Sequence, residues 1–299
     1  MIDNLSQKQK AVLFMLISAF GFALMNVFVK LSGDLPTVQK SFFRNFIAFL
    51  IAFFILLRSG GGNISSVSKS GWFWLFMRAS LGTVGILSNF YSLDHLLVAD
   101  ASVLNKLSPF FVIILSAVFL GERVNRQQVA AIAVAFLGVL LIAKPSFATG
   151  VSLPVMIAIL GGFTAGAAYT CVRYLGTMGV NGSLIVCFFS GFSCLVLAPK
   201  MISGFVPMQT WQLVILILTG VSAAVGQYGI TFAYKYAPGN QISIYDYSNI
   251  IFTAVLGTCF LGEIPDFLSI VGAVVMFGAF YINFRFNKKA DKIKAVCHE

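Results

Sequence analysis

Three cations and one acid stand inside long apolar runs of this chain: Arg44, Arg78, Lys106 and Asp246. A charge near the middle of a membrane-spanning helix costs roughly 2.5–3.5 kcal/mol on insertion scales, so each needs a partner, a water-filled cavity or a reach to the membrane surface. Lys106 is the strongest suspect. It stands about seven residues in from the end of its run, roughly 10 Å at 1.5 Å per residue, which is too deep for easy snorkelling. Ser102, Asn105, Lys106 and Pro109 follow the spacing i, i+3, i+4, i+7, which gives the run one polar, kinked face. Asp246 shares a face with Asn249 and Thr253 and sits opposite Asn105 in a 141-residue register, one residue out of step with Lys106. A Lys106–Asp246 pair is expected, either as a structural clamp or as a substrate or proton site.

Arg44 and Arg78 have two readings each, a cavity lining or an interface anchor on a long stem. Arg78 shares its face with Gly82, Gly85 and Asn89, where small residues let helices approach closely. Tyr91, Tyr169, Tyr234, Tyr245 and Tyr247 each offer a ring for substrate and a hydroxyl for orientation. Gln227, Thr231 and Tyr234 form a second polar stripe, and Gly162 with Gly166 makes a GxxxG packing pair. The expected substrate-binding set is Lys106, Asp246, Asn105, Arg78, Arg44, Tyr245, Tyr91, Tyr169, Gln227 and Asn249. No metal site and no cofactor are expected. The cysteines, at 171, 187, 194, 259 and 297, show no CxxC spacing, and only His95 and His298 could serve as imidazole ligands.

The elements that carry these residues follow from composition. Of 299 residues, 59% are hydrophobic and 10% charged, against about 25% charged in ordinary soluble domains. The chain reads as an all-α integral membrane protein embedded in a lipid bilayer. A net charge of +10 with no clustered basic module excludes nucleic acid as a partner and reads as topology. Ten runs approach the roughly 20 residues needed to span hydrocarbon: 11–31, 38–57, 71–91, 99–120, 127–143, 153–175, 183–201, 211–234, 241–261 and 266–283. Residues 1–10 form a short tail, 11–145 a first five-helix repeat, 146–284 a second, and 285–299 a basic tail. The first run is too long for a signal-peptide core. The glycines of the 59–71 linker lack the GK[ST] ending of a phosphate loop.

Basic residues gather in the loops on one side, Lys8, Lys10, Arg58, Lys69, Arg123, Arg126, Arg173, Lys235 and the C-terminal tail among them, which puts both termini in the cytoplasm. Five helices per repeat make the two repeats enter the membrane in opposite senses. Inverted repeats of this kind characterise secondary transporters, whose sites lie near the midplane where the halves meet. Phe119-Leu120-Gly121-Glu122 returns as Phe260-Leu261-Gly262-Glu263. The two glycines read as helix C-caps and the two glutamates as structural loop residues.

Phe90-Tyr91-Ser92-Leu93, Ala99-Asp100-Ala101, Pro109 and Leu120-Gly121-Glu122 in the first repeat, with Ala233-Tyr234 and Leu261-Gly262-Glu263 in the second, carry a resemblance over nearly the whole chain. The chain resembles the EamA-type branch of the drug/metabolite transporter superfamily. The resemblance implies alternating access around a central cavity and the export of amino acids or other small metabolites. Ile250 stands where Pro109 would recur, so the resemblance carries no matching kink into the ninth run. Lys106 and Asp246 are not general markers of that family.

The expected function is therefore a secondary transporter, working as an exporter from the plasma or inner membrane, for a small polar or amphipathic metabolite such as an amino acid or other carboxylate. Protons are the candidate coupling ion. An exporter of cationic drugs, served by Asp246, is the alternative within transport. A membrane-embedded enzyme is the alternative of another class, and it lacks a nucleophile with its base, a metal cluster or paired carboxylates.

Overall fold

The computed structural model describes residues 6–58, 67–120, 126–143, 151–236, 245–279 and 281. Helices occur in each of the ten predicted runs. They are α1 (Gln7–Leu31), α2 (Thr37–Arg58), α3 (Lys69–His95), α4 (Val98–Asn105), α5 (Ser108–Leu120), α6 (Arg126–Ala143), α7 (Leu153–Thr177), α8 (Gly182–Ser203), α9 (Thr210–Tyr236), α10 (Ser248–Leu261) and α11 (Phe267–Ala279). Among the described residues, six segments are long and apolar enough to cross a membrane by length and composition: α1, α2, 98–115, α7, α8 and α9. Local chemistry sets several starts. Ser6 and Gln9 close a capping box on α1, and Ser68 and Asn181 cap α3 and α8 through their side chains. Gly262, at φ 66°, ends α10 in the left-handed conformation that glycine adopts without a Cβ penalty. Glu122, the partner of Glu263 in the repeat, lies outside the described residues.

The fourth run is not one kinked helix. It breaks at Lys106 and Leu107 into α4 and α5. Pro109 has no N–H to give, and the Phe110 amide turns to Leu107 O at 3.0 Å, so the Lys106 carbonyl loses its helical donor. The ninth run breaks as well, although Ile250 stands at the proline position. A turn at Tyr247 separates helical Tyr245 and Asp246 from α10. In the 141-residue register Tyr247 is the counterpart of Lys106, and its hydroxyl donates to the freed Lys106 carbonyl at 2.9 Å. One break thus satisfies the other.

Among the described residues the main helix contacts recur when the repeats are exchanged. α1 packs on α9 as α7 packs on α3, α2 packs on α8, α1 packs on α10 as α7 packs on α5, and α2 meets α9 as α8 meets α3. That pattern is what a two-fold relation between the halves requires. Both broken helices share one core cluster, in which Val103, Leu104, Leu107 and Phe110 pack with Tyr247, Ile250 and Met276. Large apolar side chains such as Phe53, Phe54, Leu57, Leu195, Ile202 and Phe267 are exposed around the outside, as a lipid-facing surface requires.

Glycines set the closest approaches. A Cβ on Gly166 would come within 2.7 Å of both Ser108 O and Phe111 Cβ, so α7 seats directly on the first turn of α5. Replacing Gly166 by alanine should lower stability by about 1–3 kcal/mol, the usual cost of overpacking. Gly176, near the end of α7 with open space around it, is the control and should tolerate alanine without loss. Thermal unfolding of the two variants in detergent measures the difference.

Candidate functional site

Between the halves lies a buried polar cavity of about 70 Å³, bounded by α1, α2, α3, α4, α7, α8, α9 and α10. Of the ten sequence-predicted residues, Arg44, Arg78, Asn105, Lys106, Tyr169, Gln227 and Asn249 line it. Asp246 stands directly behind, its Oδ2 accepting from Lys106 Nζ at 2.8 Å with both side chains almost wholly buried. The α4–α5 break explains the depth of the lysine. As the C-cap of α4, Lys106 extends from an interrupted helix into the interior, and the carboxylate supplied by the other repeat neutralises it.

Two predicted residues are not brought to this cavity. Tyr91 stacks on His95 at 4.2 Å near the end of α3. Tyr245 borders a separate surface hollow with Lys8, Gln9 and Leu13. Each lies toward the end of its run, where helical phase alone could not reveal its depth.

Sequence reasoning missed two neighbours and left two others out of the set. Asn26 Nδ2 donates to Ser102 Oγ at 3.0 Å, and Asn89 Nδ2 donates to Asn26 Oδ1 at 3.3 Å, which makes a relay from α3 through α1 to α4. Asn89 and Ser102 were visible on polar faces, and Asn26 could have been found as an amide inside an apolar run. Phe189 carries no such signal among 31 phenylalanines. Its ring lies 4.1 Å from the Arg78 guanidinium carbon and 5.7 Å from that of Arg44. Asn249 Nδ2 donates to Ala19 O at 2.8 Å, tying α10 to α1.

One end of the bundle is closed by charge. Lys30 pairs with Glu263 at 2.7 Å and also donates to Leu96 O. The other oxygen of Glu263 accepts from Val98 N at 2.7 Å and so caps α4 across the repeat boundary. Glu263 is therefore a latch residue as well as a loop residue. Lys40 pairs with Asp94 at 2.6 Å, and Thr37 donates to the second oxygen of that carboxylate. At the opposite end a hollow of about 600 Å³ opens among Ser68, Gly176, Asn181, Ser183 and Lys235. Among the described residues no group of three metal-ligating side chains comes together.

This architecture, two similar halves joined at broken helices around a buried polar cavity, is that of a transporter. The chain belongs to the EamA-like transporter family, whose model matches it twice, over residues 9–144 and 152–285, and through it to the drug/metabolite transporters. It is 33% identical to the pseudopaline exporter CntI of Pseudomonas aeruginosa (strain UCBPP-PA14), over 90% of this chain and 93% of that one. It is 24% identical to a riboflavin transporter of Rhizobium johnstonii, over 89% and 88% of the two chains. A solved crystal structure at 13% identity covers 94% of this chain and 99% of its own with a TM-score of 0.69, a likeness of fold.

The charge pair makes a stability prediction. Lys106→Met or Asp246→Leu alone leaves an uncompensated buried charge and should cost about 3–5 kcal/mol. The double variant should cost clearly less than the sum, because the two residues share one interaction. A double-mutant cycle read by thermal unfolding measures the coupling. Additive losses would mean that the pair does not form.

Proposed function

We propose that this protein is a secondary transporter that exports a small polar or amphipathic metabolite, such as an amino acid or other carboxylate, by alternating access around the cavity between its repeats. The observation that carries the reading is the Lys106–Asp246 pair at the two helix breaks. It sets a positive charge at the cavity wall and its negative partner, from the other repeat, directly behind, at the point where irregular backbone lines an internal space. The printed names of the relatives, an exporter and a vitamin transporter, support a small-molecule cargo.

In this reading the protein sits in the inner membrane with ten spans arranged as two inverted five-helix repeats and with both termini in the cytoplasm. The substrate set is Arg44, Arg78, Asn105, Lys106, Tyr169, Gln227, Asn249 and Asp246, with protons as the coupling ion. The Lys30–Glu263 and Lys40–Asp94 pairs then fall on the outer side, and the larger hollow on the cytoplasmic side. That distribution supports an outward-closed conformation. The cavity is small beside the roughly 300–1,000 Å³ of ordinary ligand pockets, so substrate entry widens it. Against a cationic cargo stands the local balance of three cations to one acid, with that acid already held by Lys106.

Flux of a labelled panel of amino acids, other carboxylates and cationic compounds in proteoliposomes, with and without a proton gradient, tests the reading. Carboxylate-bearing compounds should move, and Lys106→Met should reduce their flux by tenfold or more at normal expression. Movement of cationic compounds alone, or of none of the panel, would contradict it. For topology, single cysteines at Ser203 and Met178 in a background without native cysteines should differ. Ser203→Cys should react with an impermeant thiol reagent added outside intact cells, and Met178→Cys should not.

A further inference from the structure

Arg44 and Arg78 are buried cations of the cavity. They are 1% and 3% exposed, both line the cavity, and among the described residues neither has a carboxylate partner. Arg44 Nη1 donates to the side chain of its neighbour Asn45 at 2.6 Å, and Arg78 Nη2 donates to Gln227 Oε1 at 3.1 Å. Arg44 Nε, Arg78 Nε and Arg78 Nη1 are buried and have no acceptor. A guanidinium carries five donors in a fixed fork matched to a planar carboxylate, and leaving charged donors unmet inside a protein is costly. Both guanidiniums lie against the ring of Phe189, at 5.7 and 4.1 Å from its centre, and an anion would satisfy the donors they leave unmet.

The position of Arg78 is itself built. A Cβ on Gly82, one turn further along α3, would collide with Arg78 Nη1 and come within 2.7 Å of the Phe189 ring. Glycine there leaves room for the guanidinium to lie along its own helix against the Phe189 ring. The site is also asymmetric in a way the scaffold is not. Arg44 and Phe189 each stand seven residues beyond the first residue of α2 and α8, so one repeat supplies the cation and the other the ring beneath it. Lys106 is spoken for by Asp246, which leaves the arginines as the free positive charge of the cavity.

We propose that Arg44 and Arg78, seated on Phe189 with Gln227 as orienting group, form an anion subsite that holds a carboxylate of the transported molecule. The proposal deepens the reading of this cavity as the transport site and rests on it. It makes the cargo an acid that enters ionised, with at least one carboxylate not neutralised by an amine of its own. Gln227 accepts from Nη2, so Nε and Nη1 are the Arg78 donors left for a ligand.

The test uses the purified full-length protein and acetate, a carboxylate small enough for the cavity, with acetamide as its uncharged isostere. Acetate should raise the thermal midpoint of the wild type above the level given by sodium chloride at equal ionic strength, and acetamide should not. Arg44→Gln and Arg78→Gln should each raise the acetate concentration for half-maximal protection by about tenfold or more. Their midpoints without acetate should be unchanged or higher, since an unpaired buried charge has been removed. Arg78→Lys should recover part of the protection, and Gly82→Ala, which leaves both charges in place, should weaken it. Equal protection by chloride or acetamide, undiminished protection in the Arg44→Gln, Arg78→Gln double variant, or low acetate-free midpoints in both glutamine variants would overturn the proposal. Stronger protection by sulfate or phosphate than by acetate would overturn the assignment to a carboxylate. Proteoliposome flux separates the two ideas. Flux of uncharged cargo without acetate protection would sink the subsite and leave transport standing, and acetate protection without flux of any compound would do the reverse.

Discussion

A broken helix inside a hydrophobic slab exposes backbone that only the protein can satisfy, and the centre of this molecule is organised by that constraint. Pro109 withholds one donor, the next amide pairs locally, and the Lys106 carbonyl is left open. The Tyr247 hydroxyl closes it from the other repeat, while the Lys106 ammonium, carried to the interior by the same break, is met by Asp246 from that repeat. Two bonds in opposite directions between the same two chain segments therefore join the halves at their broken helices. α7 leans on the break through Gly162 and Gly166, each placed where a side chain would strike the α4–α5 backbone.

Around this junction the scaffold is nearly symmetric and the chemistry is not. The helix pairings exchange between repeats, yet the cavity cations Arg44, Arg78 and Lys106 all come from the first half, and the second supplies Phe189, Gln227 and the single acid. The backbone pairings are shared by the repeats, and the cavity's polar side chains are divided unequally between them. The latch of Lys30, Glu263 and the Val98 amide shows the same division of labour, since it crosses the repeat boundary and ties α1, α4 and the end of α10 at one membrane face.

Much of this was legible from the residues. Apolar run lengths located every helix, the repeated Phe-Leu-Gly-Glu endings revealed the duplication, and the energetic cost of a mid-membrane charge singled out Lys106 and Asp246. The break at Tyr247 was not legible, because no proline marks it. It is stabilised by a hydroxyl reaching 141 residues back along the chain, a tertiary effect that no local pattern encodes. Phe189 was equally hidden, since a ring that faces a guanidinium and one that faces lipid have the same sequence signature. Tyr91 and Tyr245 lie away from this cavity for the opposite reason: a residue on a suggestive face still needs the right depth, and depth depends on how neighbouring helices are staggered.

We propose that the two repeats rock about the Lys106–Asp246 contact, and distances across both ends of the molecule test that motion. Spin labels at Asp34 and Ile264 report the latched end, and labels at Lys8 and Met178 report the other; of these, Asp34, Lys8, Ile264 and Met178 are all exposed. In lipid nanodiscs, pulsed electron–electron resonance should give two distance populations for each pair. Conditions that lengthen the Asp34–Ile264 distance should shorten the Lys8–Met178 distance. A single distance at both ends that stays fixed under conditions where the same preparation transports would contradict the account.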